Sequence, residues 1–170
     1  MNLQTRRAKL FLVLILTLLG VLMFVTQVIL APLPNIETVS LLIIITTSVF
    51  GVKALCSVYI FVICEFFTYG FDIWSINYLY VWAILCLAVL LTRRVENPLF
   101  FALLSAIFGL LFGTFCSIPY FLTGGIGSGI AYIIQGFVYD LLHCVGNFFI
   151  ALLLFSPLKN VLEKTVKKYL

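Results

Sequence analysis

Asp140, His143 and Asn147 interrupt an otherwise apolar run from Gly129 to Phe155. At 100° per residue they fall within roughly 60° of one another on a helix, so an acid, an imidazole and an amide share one face. Such a trio can bind a polar ligand or pass a proton, and polar groups at this depth of a membrane segment are costly unless something offsets them. The alternative is a satisfied polar network that ties helices together, a role that suits the deeper pair, His143 and Asn147. Glu65 is a second buried-acid candidate, followed by Thr68, Tyr69 and Asp72 on the same helical face. It must pair with another polar group, such as His143, or meet a ligand donor. At 1.5 Å per residue, Asp140 lies about 16 Å from Gly129 and Glu65 about 16 Å from Ala54, both near mid-depth. Trp74, Asn77, Tyr78, Tyr80 and Trp82 form an aromatic group. Tyr78 and Trp82 are four apart and share a face where flat rings could stack a heterocycle, whereas Trp74 and Tyr80 suit an interfacial belt.

The elements that must position these residues follow from composition. The chain is 64% hydrophobic and only 9% charged over 170 residues, with a mean hydropathy of +1.26. Those values place it among integral membrane proteins and leave no room for a soluble catalytic domain. Breaks in hydropathy divide it into apolar segments at about 8–30, 37–51, 54–69, 76–92, 98–118 and 129–155. Without strand-like alternation, the expected fold is all-α, a single polytopic membrane domain of six transmembrane helices. The first segment follows Arg6, Arg7 and Lys9 but is too long for a signal peptide, and is read as a span.

All ten basic residues fall on one side of this six-span arrangement: Arg6, Arg7, Lys9, Lys53, Arg93, Arg94, Lys159, Lys164, Lys167 and Lys168. By the positive-inside rule both termini are cytoplasmic. The tail 156–170 reads as a separate amphipathic helix on the cytoplasmic surface, with Ser156 as N-cap and Pro157 at the first helical position. Ser105, Gly109, Gly113 and Ser117 form a small-residue ridge for close helix contact. Prolines stiffen the loop Ala31 to Asn35, whereas Gly124, Gly125, Gly127 and Gly129 predict a flexible last outer loop, the pair resembling a lid.

Other chemistries lack their signatures. No phosphate-binding loop, dinucleotide fingerprint, zinc-protease helix or nucleophile elbow occurs, so the chain is not expected to be an enzyme or to hydrolyse ATP. Five singly spaced cysteines imply neither a disulfide framework nor a zinc site, and no metal or cofactor is expected. The dispersed basic residues argue against a nucleic-acid surface.

The order of Pro-Leu-Pro-Asn (Pro32 to Asn35), Tyr-Leu-Tyr-Val-Trp (Tyr78 to Trp82) and Tyr-Asp-Leu-Leu-His-Cys-Val-Gly-Asn (Tyr139 to Asn147), within six short spans, resembles the substrate-binding S components of energy-coupling factor transporters. The resemblance covers essentially the whole chain. It implies a high-affinity binding subunit for a vitamin or related micronutrient in the bacterial plasma membrane. Such a subunit works with a transmembrane coupling protein and two cytoplasmic ATPases, and topples to deliver its ligand inward. The resemblance selects Asn35, Glu65, Tyr78, Trp82, Gln135, Tyr139 and Asp140 as substrate-binding residues, with His143 and Asn147 as the floor. The Ala-x-x-x-Ala docking pattern of many members is missing from the first span, where Thr17 and Gly20 are the small residues near the centre. Two other classes stay open: a stand-alone proton-coupled transporter using Glu65, Asp140 and His143 as a relay, and a structural scaffold of an envelope-assembly complex.

Overall fold

A computed structural model describes residues 3–169 and contains no strand among them. Its helices are α1 (Leu3–Leu30), α2 (Val39–Phe50), α3 (Ala54–Tyr69), α4 (Ile73–Leu91), α5 (Pro98–Cys116) and α6 (Ile118–Tyr169), with a 3-10 turn at Gly51–Lys53. Local chemistry sets several of these ends. Asp72 accepts the Ile73 N–H at 2.6 Å while its own N–H donates to Ser75 Oγ, a reciprocal cap that starts α4. Asn97 accepts the Leu99 N–H at 2.9 Å with Pro98 as first residue of α5, where a missing N–H does no harm. Because α3 stops at Tyr69, before Gly70 at φ 81°, Asp72 does not continue the face of Glu65 as expected.

Five stretches are long and apolar enough to cross a membrane, rather than the six expected, because α2 and α3 together make one 31-residue stretch. By itself α2 has 12 residues, about 18 Å, against a hydrocarbon core of about 30 Å. Gly51, at φ 59° and ψ −138°, separates it from the turn into α3. That backbone geometry is open to glycine and strained for any residue with a Cβ.

Side-chain pairings give the relative directions of the helices. Ser57 Oγ donates to the Leu16 carbonyl at 2.7 Å, and Gly20 meets Ser57 and Ile60, so α1 and α3 run parallel. A Cβ on Gly20 would sit 2.5 Å from the Ser57 carbonyl oxygen, so this small residue serves internal packing. Phe66 meets Trp74 and Phe61 meets Trp82, making α3 and α4 antiparallel. The Tyr80 hydroxyl donates to the Phe115 carbonyl at 2.7 Å and Trp82 meets Phe108, so α4 and α5 are antiparallel too. Gly113 against Asp140, Gly109 against His143 and Phe101 against Phe155 do the same for α5 and α6. These directions bring Lys53 and the turn carrying Arg93 and Arg94 to one end of the bundle.

The start of α2 lies deep in the bundle. Asn35, Ile36 and Glu37 touch Tyr139, Gly146 and His143 of α6. His143 is seventeen residues beyond Ile126, about 25 Å along the helix. From there α2 runs to Thr47, whose hydroxyl donates to Cys86 Sγ of α4. The proline-stiffened segment is exposed from Ala31 to Pro34, but Glu37 beyond it is buried against α6, so α2 begins inside the bundle and is short.

Two expectations about α6 are revised. The glycine-rich stretch is helical on both sides of Gly125 (φ 75°) and not a loop. It is folded on itself, with Tyr120 stacked on Tyr132 at 4.3 Å and Phe121 against Gly129. The tail is not a separate helix either. α6 runs through Pro157 to Tyr169, with Leu162 buried and Tyr169 stacked on Phe11 of α1 at 4.8 Å. Packing of its apolar residues on α1 and α2 outweighs the one backbone hydrogen bond that Pro157 cannot donate.

Candidate functional site

The segment entering between α1 and α2 closes a cavity of about 290 Å³ lined by Gln27, Asn35, Glu37, Tyr78, Trp82 and His143, with Phe112 at its edge. Its polar wall is an ion pair absent from the sequence-based site: Glu37 Oε1 lies 3.0 Å from His143 Nε2. The second oxygen of Glu37 accepts the Ser40 N–H at 2.8 Å, so one carboxylate caps α2 and binds α6. The Phe112 ring meets the imidazole edge at a centroid distance of 5.0 Å.

Asn35 fixes the mouth of this cavity. Its backbone adopts φ 54°, a left-handed conformation that asparagine tolerates better than other residues with a Cβ. Its side-chain N–H donates to the Tyr139 carbonyl at 2.9 Å, joining the entering segment to α6. Tyr78 and Trp82 pack edge to face at 84° rather than offering two parallel faces, and Trp82 is buried between Phe61, Phe108 and Phe112. The indole Nε1 of Trp82 and the Nδ1 of His143 are buried with no hydrogen-bond partner. Tyr80, expected at a membrane interface, instead ties α4 to α5 through Phe115.

A second chamber of about 350 Å³ lies beyond Asn35 and Phe112, which also border the first. Gln135, Tyr139 and Asp140 line it with Tyr132 and Gly113. Asp140 is 4% exposed, and its Oδ1 accepts the Gly113 N–H at 3.0 Å. This close approach requires glycine: a Cβ there would lie 3.0 Å from the carboxylate carbon and closer still to Oδ2. The small-residue ridge thus also makes room for a carboxylate.

The nine residues selected from sequence therefore separate. Asn35, Tyr78, Trp82 and His143 border the first cavity, while Asn35, Gln135, Tyr139 and Asp140 border the second. Asn147 borders neither and donates to the Ser105 carbonyl at 3.3 Å, sewing α6 to α5. Glu65 also borders neither; it is buried, with Oε1 unpartnered. The expected Glu65 to His143 pairing does not form, because Glu37 occupies the imidazole Nε2. Sequence reasoning missed Glu37, Gln27 and Phe112. For Glu37 a signal existed: it directly follows the Pro-Leu-Pro-Asn-Ile run, and the buried His143 needed a partner. No three metal-binding side chains gather among the described residues. No protein-family model matches this chain, and neither does any curated protein or solved structure. What the arrangement can do chemically is enclose a small molecule against aromatic rings and orient it by a few buried polar groups.

Proposed function

We propose that this protein is the high-affinity substrate-binding subunit of an energy-coupling factor importer for a vitamin or related micronutrient. In this reading it sits in the bacterial plasma membrane with six passes and cytoplasmic termini. It hands its ligand to a transmembrane coupling protein driven by two cytoplasmic ATPases. The observation that carries the proposal is the cavity of about 290 Å³ closed by the Pro-Leu-Pro-Asn segment, with Asn35 and Glu37 latched onto α6. Aromatic and polar surface lining a half-open cavity in an apolar helical bundle suits a captured small molecule better than a scaffold, which has no need of a cavity. The test is to purify the protein from its native membrane and identify small molecules and subunits that come with it by mass spectrometry. A vitamin-like compound together with ATPase subunits is the expected result; neither one appearing overturns the proposal.

The Glu37 to His143 pair, one helical turn from Asp140, also supports a second reading: proton-coupled transport by the chain alone. Uptake that survives ATP depletion and collapses with an uncoupler selects that reading over the first.

A further inference from the structure

We infer, resting on the reading of the two chambers as a ligand site, that the ligand carries an organic cation and that the second chamber receives it. Three acids are buried, Glu37, Glu65 and Asp140, whereas His143 is the one buried basic side chain and no lysine or arginine is buried among the described residues. Glu37 and His143 are already paired with each other at 3.0 Å. Asp140 forms no ion pair among the described residues, and the nearby His143, one helical turn along α6, is held by Glu37. The Asp140 Oδ1 takes the Gly113 backbone N–H, a neutral donor, and the residue lines the chamber.

The rest of the wall has the chemistry of cation recognition. Phe112, Tyr132 and Tyr139 line the same chamber as Asp140, and the negative faces of aromatic rings attract a cation that has shed part of its water. Gln135 and Asn35 contribute neutral amides and no positive charge. An anionic ligand would meet a buried carboxylate in a low-dielectric surround, where like charges repel strongly. A quaternary or aromatic nitrogen cation instead supplies the missing counter-charge, and about 350 Å³ accommodates a ring of that kind. The neighbouring cavity across Asn35 and Phe112 holds the uncharged remainder of a larger ligand.

Three probes of nearly the same shape separate the charge states: N1-methylnicotinamide (cation), nicotinamide (neutral) and nicotinate (anion). Each is titrated into the full chain in detergent at low salt, with thermal unfolding and calorimetry as readouts. The cation alone is expected to raise the unfolding temperature. Asp140→Asn, which keeps the acceptor for Gly113 but not the charge, is expected to weaken its binding roughly ten- to a hundredfold. Tyr139→Leu should weaken it and Tyr139→Phe restore it, because the ring face and not the hydroxyl is required; Tyr139 is half exposed, so these variants leave the fold intact. No binding of the cation, equal binding of nicotinate, or undiminished binding to a folded Asp140→Asn protein overturns the inference. These measurements need no ATPase subunit, so they are independent of the transporter assignment. A co-purifying anionic micronutrient would refute the cation and leave the importer reading standing; cation binding without any transport partner would do the reverse.

Discussion

At the scale of single residues, Glu37 joins what the chain separates by more than a hundred positions. It caps α2 through Ser40 and pairs with His143, so removing His143 leaves a buried carboxyl with only its Ser40 cap, and removing Glu37 leaves the buried imidazole Nε2 without its partner. His143→Leu and Glu37→Leu are each expected to destabilise the protein by about 3 kcal/mol, and the double variant by clearly less than the sum. Thermal or denaturant unfolding in detergent measures the coupling. Asn35 supports a finer prediction, since it offers both a left-handed backbone and a hydrogen bond to Tyr139. Asn35→Gly keeps the first and loses the second; Asn35→Ala loses both, and should cost about 1 kcal/mol more.

At the scale of elements, the closeness of α5 and α6 is decided by glycine. A Cβ on Gly109 would lie 2.9 to 3.0 Å from backbone atoms of His143 and Cys144, which have little freedom to move aside. Gly109→Ala is therefore expected to cost about 1–3 kcal/mol by overpacking and to disturb the cavity through His143. Gly136→Ala, with open space around it, is the control and should be close to neutral. Unfolding temperatures of the two variants, measured side by side, check both. The tail of α6 acts at the same scale. Leu162 is buried and Tyr169 stacks on Phe11, so ending the chain after Ser156 should lower the unfolding temperature by uncovering Ile15 and Leu19 of α1.

For the whole molecule, helix direction and charge give a topology that labelling can check. On the proposed six-pass reading, α1 to α6 alternate and bring Lys53, Arg93 and Arg94 to one end, which the positive-inside rule would assign to the cytoplasm. In a cysteine-free background, single cysteines at Val52 and Val95 should react with an impermeant thiol reagent only after the cells are opened, whereas one at Phe71 should react in intact cells. Labelling of Val52 and Phe71 from the same side would refute six passes, and with them the membrane arrangement required for import.

Asp140, His143 and the aromatic run around Tyr78 were legible in the sequence because a polar group in a long apolar segment is costly wherever that segment packs. The helical, membrane-capable character of the chain was legible for a related reason: backbone hydrogen bonds in hydrocarbon must be satisfied locally, so hydropathy alone selects helices. Partners were not legible. Glu37 reaches His143, rather than Glu65 doing so, because the segment after α1 turns inward instead of staying at the surface, and a segment's depth is set by packing and not by its own composition. For the same reason the second span shrank to the half-length α2, the tail remained part of α6 across Pro157, and the glycine-rich stretch folded as helix. Residue types determined which groups demand a partner; only the tertiary arrangement, through contacts between distant segments, decided which group provides it and placed Asp140 at the wall of a chamber.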